Sequence, residues 1–145
     1  MKALLQRVKQ ASVKVDERLV GQINSGLLVF LGVNKFDTDE SCKKLLDKVL
    51  SYRIFPDEQG KMNLSLKQVS GELLVVSQFT LVADTQKGLR PSFSLAGLPD
   101  ESERLYEKFI SLASEQGVSV KMGRFGADMQ VFLINDGPVT FMLEA

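Results

Sequence analysis

Histidine is absent from the 145 residues, and cysteine occurs once, as Cys42. Without histidine the chain cannot build a Ser-His-Asp or Cys-His triad, nor a His-ligated zinc site. With one cysteine it forms no intrachain disulfide, which fits a reducing, cytoplasmic setting. Neither sign of charge is in excess, with 18 basic and 18 acidic residues. Long duplex DNA gripped on a broadly basic face is therefore excluded, whereas a small site for the end of a nucleic acid is not. Long apolar runs are missing too. The longest, Leu27 to Leu31, is far short of the ~20 residues that span a bilayer. The first ten residues, MKALLQRVKQ, hold no apolar stretch of signal-peptide length. Solenoid repeats and low-complexity tracts are likewise absent.

What is present is ordinary for a folded domain: 44% hydrophobic and 25% charged residues. A chain of this length reads as one domain, residues 1–145, able to bury roughly two-thirds of its unfolded surface. Ala11, Val13 and Val15 alternate with Ser12, Lys14 and Asp16, the period of a half-buried strand. Asp16 to Arg18 can turn the chain into a second strand near Val20 to Ile23. Leu27 to Val33 is a continuous apolar run and predicts a central strand. A helix follows, with Asp37 as the expected cap and Glu40 three residues on. Cys42, Leu45, Leu46, Val49 and Leu50 form its buried face, so Cys42 reads as core. Leu64 and Leu66 predict a short strand, and Leu73 to Val76 a buried one. Residues 83–99 read as loop. A second helix begins near Asp100 and Glu103, buries Leu105, Phe109 and Leu112, and ends at Gly117. Val118, Val120 and Met122 alternate again. Residues 129–134 and 139–143 predict two last strands joined by a turn. Strands outnumber helices, so the expected class is α+β: a curved, mostly antiparallel, barrel-like sheet system with two helices packed outside.

Four places can carry chemistry. Ser77, Gln78, Phe79 and Thr80 cluster polar groups at the exit of a buried strand. Such groups need partners, either a ligand or simply backbone. Asn135-Asp136-Gly137-Pro138 is either an ordinary turn or a special one, because Pro138 removes a donor where a strand should start pairing. A cis Gly-Pro bond there would push main-chain atoms out of the surface. Arg124 and Phe125, followed by Met129, can stack a base and pair a phosphate, or be a loop with a core aromatic. Residues 87–91 form a basic, solvated loop.

Together these segments resemble a known family. SQFTL at 77–81 and NDGPVT at 135–140 are similar to the two signature motifs of the D-aminoacyl-tRNA deacylases, also called D-tyrosyl-tRNA deacylases. LLQRV at 4–8, GLLVFLGV at 26–33, YRIFPDEQGKMN at 52–63, LRPSF at 89–93 and GRFGADMQV at 123–131 extend the resemblance over the whole chain. The resemblance implies hydrolysis of the ester joining a D-amino acid to the tRNA 3′ end. It implies a homodimer with the active site at the subunit interface, where Gly137 and Pro138 of one subunit reject L-amino acids in the other. It implies that Arg7 braces that turn, that Phe125 and Met129 line a terminal-adenosine pocket, and that Ser77, Gln78, Phe79 and Thr80 surround the ester. No spacing of Asp, Glu or Cys suggests a metal site, and no cofactor, DNA or membrane partner is expected. With histidine missing, attack assisted by the substrate's ribose hydroxyl is the favoured chemistry, and Thr80 as nucleophile the alternative. Two other functions are a non-catalytic RNA 3′-end or nucleotide-binding module and an L-specific editing domain.

Overall fold

The computed structural model describes residues 1–145. Its elements are β1 (Lys2–Val15), β2 (Arg18–Ile23), β3 (Gly26–Gly32), α1 (Asp39–Ser51), β4 (Phe55–Pro56), β5 (Met62–Leu64), β6 (Glu72–Ser77), α2 (Pro99–Glu115), β7 (Val120–Met122) and β8 (Gln130–Glu144), with a single 3₁₀ turn at Phe79–Val82. The main sheet runs β2-β1-β3-β6-β7, and β8 also pairs with β1. β1 is antiparallel to β2, β3 and β8. The two helical crossovers make β3, β6 and β7 parallel. The expected α+β class with two helices is what forms, in a mixed sheet nearly closed into a barrel.

The continuous apolar runs are explained by cover on both faces. In β3 and β6, Leu27, Val29, Leu73 and Val75 point toward the helices, where Leu45, Leu46, Val49, Leu105 and Phe109 meet them. Their alternates Leu28, Leu74 and Val76 point into the barrel, against Val8, Val13 and Ile23. Where β2 approaches β7, Gly21 lets the backbones close. A Cβ there would stand 2.5 Å from the Met122 carbonyl oxygen.

Several local expectations need correction. β1 starts at Lys2 rather than near Ala11, its first half paired with both β3 and β8; the apolar alternation misses this half because buried Arg7 stands where it expects a hydrophobe. The first helix is capped by Thr38, whose side chain accepts from the Ser41 N–H while Ser41 accepts from the Thr38 N–H. Asp37 instead takes the Met1 ammonium at 2.6 Å and the Asn34 N–H at 2.6 Å. The second helix has Leu98 as its cap residue and Pro99 at its first turn. Residues 130–144 form one strand, not two. Its pairing with β1 jumps from Gln6↔Thr140 to Val8↔Asn135, so residues 136–139 loop out opposite Arg7. The early hairpin turns through Asp16 and Glu17, both at positive φ, 49° and 64°, the geometry that matches strand twist.

Candidate active site

β6 delivers Ser77 and Gln78 to the edge of the sheet, where strand pairing stops and the 3₁₀ turn begins. A cavity of about 490 Å³ opens there. Ser77, Gln78 and Phe79 line one side, and Phe125, Gly126 and Met129 another. Val33, Ala96, Gly97, Pro99, Ser102 and Tyr106 complete much of the wall. The walls are mainly apolar with a few convergent polar groups, as small-ligand sites are. Phe79 is 61% exposed and packs on Phe93, ring centroids 5.0 Å apart. Thr80 is exposed beside the cavity, and the Gln78 side-chain amide donates to its hydroxyl oxygen. The Thr80 proton is thus left free to be donated onward.

Tyr106 holds the two sides in register. Its hydroxyl donates to the Val75 carbonyl at 2.9 Å, which also accepts from the Gly123 N–H at 3.0 Å. Its ring stands 5.7 Å from that of Phe125. Burial pushes the Tyr106 hydroxyl well above the ordinary tyrosine range, against the opposing effect of the Gly123 N–H, so it stays protonated and donating. From sequence it reads only as part of a helix's apolar face.

A second constellation involves none of these residues. Arg7 is 9% exposed. Its Nη1 donates to the Ile54 carbonyl at 2.7 Å and its Nε to the Asp136 carbonyl at 3.2 Å, with the Asp136 carboxylate 3.5 Å away. Asn135 Nδ2 donates to the carbonyls of Arg7 and Val139, both at 2.9 Å. Between these anchors the Gly137-Pro138 peptide is cis, Gly137 has φ +128°, and both residues are exposed. Arg7, Gly137 and Pro138 do not line the cavity. The structure therefore gathers Ser77, Gln78, Phe79, Phe125 and Met129 in one place and Arg7, Gly137 and Pro138 in another. Asn135, whose role the sequence left unassigned, is the hinge pin of the second.

Cys42 is fully buried, and burial pushes its thiol up to about 11, so it is inert packing. No three His, Cys, Asp or Glu side chains gather where they can hold a metal ion. No helix is long and apolar enough to cross a membrane.

Residues 4–144 match the profile of a family described as D-Tyr-tRNA(Tyr) deacylase. Proteins named D-aminoacyl-tRNA deacylase from Shewanella denitrificans and Shewanella baltica are 65% and 61% identical, over 99% of this chain and 99% of theirs. A solved structure titled c-Myc DNA Unwinding Element Binding Protein is 40% identical, with a TM-score of 0.95 over 100% of this chain and 99% of its own. Another, titled as a probable eukaryotic D-amino acid tRNA deacylase, shares the fold at 20% identity, with a TM-score of 0.85 over 99% of this chain and 98% of its own.

Proposed function

The chain belongs to the D-Tyr-tRNA(Tyr) deacylase family, and from that premise we propose that it hydrolyses the ester of D-aminoacyl-tRNA, releasing free tRNA and the D-amino acid. The observation that carries the mechanism is the rigid, exposed main-chain turn at Gly137 and Pro138, pinned from within by buried Arg7. L and D amino acids differ only in where the side chain leaves the α-carbon. A main-chain wall at that carbon excludes one hand by sterics and tolerates varied side chains on the other. A pocket that gripped side chains would instead discriminate among amino acids.

Within one chain the wall and the cavity are separate, so the wall acts on the cavity of a second copy. Phe132 and Ile134 before the turn and Met142 after it are 52%, 48% and 47% exposed, an apolar face suited to self-association. The expected result is a homodimer by light scattering that loses activity when dissociated. A fully active species near 16.1 kDa overturns this.

In the cavity, Phe125 and Met129 take the terminal adenosine and Ser77 to Thr80 surround the ester. Phe79 and Thr80 open a helical turn, whose first N–H groups have no partner within it. They are placed to stabilise the oxyanion of the tetrahedral intermediate. Thr80 has no base to take its proton, and its hydroxyl already accepts from Gln78. The neighbouring ribose hydroxyl then orients or activates water. Thr80→Ala is therefore expected to keep activity within about tenfold of wild type. A loss of several decades, as removal of a true nucleophile causes, favours covalent catalysis instead.

Exclusion by a wall makes a further forecast. Glycine has no side chain to exclude, so glycyl- and D-alanyl-tRNA should both be hydrolysed while L-alanyl-tRNA is spared. Glycine spared along with L-alanine would show that the turn is not the filter. An enzyme specific for L substrates would invert the pattern, and a module that only binds the 3′ end would protect all three esters.

A further inference from the structure

We propose that Lys35 and Phe36 form a second contact for the tRNA 3′ strand, outside the cavity. The Phe36 ring stacks a base preceding the terminal adenosine, and the Lys35 ammonium pairs with its phosphate. The inference rests on the deacylase activity proposed above.

Phe36 is 81% exposed, and Lys35 Nζ lies 5.7 Å from the centroid of its ring. A lone exposed aromatic is unremarkable on a protein surface. Here it is paired with a cation, held on a fixed turn and only three residues along the chain from Val33 of the cavity wall. The turn is fixed at both ends. Lys35 N–H donates to the Leu95 carbonyl at 2.9 Å, Asp37 N–H to the Asn34 carbonyl at 3.2 Å, and Gly97 N–H to the Val33 carbonyl at 3.0 Å. Val33, Ala96 and Gly97 are cavity wall. Phe36 is three residues beyond Val33, so its Cα lies within roughly 10 Å of that wall. That is within reach of the nucleotides that immediately precede a terminal adenosine held inside.

Charge favours a nucleic acid strand over other occupants. The carboxylates near the turn are already neutralised: Asp37 by the Met1 ammonium at 2.6 Å, Asp39 by Arg104 and Lys108 at 2.7 and 2.8 Å, and Glu40 by Lys44 at 2.7 Å. Lys35 enters no ion pair and is exposed, so its charge is available to a phosphate. An aromatic platform beside an unpaired cation is the chemistry by which proteins hold single strands without reading sequence. A neutral chain that needs only the end of its ligand gains from one such contact, not from a basic face.

The test compares two substrates, D-tyrosyl-tRNA and the 3′-ester of D-tyrosine with adenosine, which ends at the cavity. For Phe36→Ala, KM for the tRNA should rise about tenfold with kcat unchanged, while kinetics on the adenosine ester stay at wild-type values. Phe36→Trp should restore the tRNA KM. Lys35→Ala should reduce the slope of log KM against log salt by about 0.7, the value for one phosphate contact on a single strand. The proposal is overturned if the tRNA KM does not move, if both substrates suffer equally, or if Phe36→Ala changes the mass in light scattering, which would make the ring a subunit contact. Wild-type protein inactive on both substrates would remove the deacylase activity itself, and this contact with it; wild-type activity with an insensitive KM removes the contact alone.

Discussion

Gly137→Ala is expected to lower turnover of D-tyrosyl-tRNA at least a hundredfold while the protein still folds. The backbone at Gly137 has φ +128°, a region that L side chains rarely adopt, and such a conformation costs about 1–3 kcal/mol. Space is closed as well. An added Cβ would stand 2.7 Å from Val139 Cγ2 and 3.1 Å from Arg7 Nη2. Val139 and Arg7 are both buried, so neither swings aside freely, and the turn must move. Because residues 136–139 protrude from the sheet rather than pair within it, the movement displaces the wall and spares the barrel. Circular dichroism should therefore match wild type while hydrolysis collapses. Wild-type rates in this variant would mean that the position of the turn does not matter to the reaction.

Arg7→Ala is expected to cost about 3 kcal/mol of stability and to erode the preference for D over L substrates. The guanidinium satisfies the carbonyls of Ile54 and Asp136. Ile54 is 2% exposed, so its carbonyl gains no water when the arginine goes. A buried polar group left unpaired costs about 1–3 kcal/mol, more where the lost partner was charged. Lysine offers a point charge rather than a planar fork and cannot reach both carbonyls with the same geometry. Arg7→Lys should thus recover part of the stability and little of the discrimination. Thermal unfolding and the ratio of D- to L-tyrosyl-tRNA hydrolysis check the two halves. A melting curve within ~0.5 kcal/mol of wild type, the range of substitutions away from any such feature, and an unchanged ratio would show that Arg7 does not brace the turn.

The strands that alternate or run continuously apolar were legible because burial has a period of two or covers both faces, as in Leu27 to Leu31 and Leu73 to Val76. The helix faces were legible for the same kind of reason: Cys42, Leu45, Leu46, Val49 and Leu50 are all buried. Legibility failed where a polar group substitutes for a hydrophobe. Arg7 interrupts the alternation of β1, so its first half did not read as strand. Asp37 looked like a cap but serves the Met1 ammonium, a partner 36 residues away that no local window contains. The site divides along the same line. Ser77, Gln78 and Phe79 announce themselves as polar and aromatic groups ending an apolar strand, and the structure brings them to the same cavity as Phe125 and Met129. Val33, Gly97 and Tyr106 carry no local mark, because they become wall only through partners distant in sequence: Gly97 N–H bonds the Val33 carbonyl and the Tyr106 hydroxyl bonds the Val75 carbonyl. Asn135 stood inside a recognisable motif, yet its bonds to Arg7 and Val139 depend on a register that sequence does not specify.

That register has a consequence for how the chain acquires its structure. β1 and β8 pair along nearly their full lengths, although they come from opposite ends of the 145 residues. Contacts of such long sequence separation require loop closure before they are rewarded, which slows folding relative to helical bundles of similar size. During synthesis β1 emerges first and must wait, one edge satisfied by β2 and β3 and the other open. The turn that carries Gly137 and Pro138 gains its anchor at Arg7 only when β8 finally docks. Completion of the barrel and completion of the turn are then a single event, so a chain interrupted before Gln130 holds the cavity's polar strand end but lacks the exposed, Arg7-anchored turn at Gly137 and Pro138.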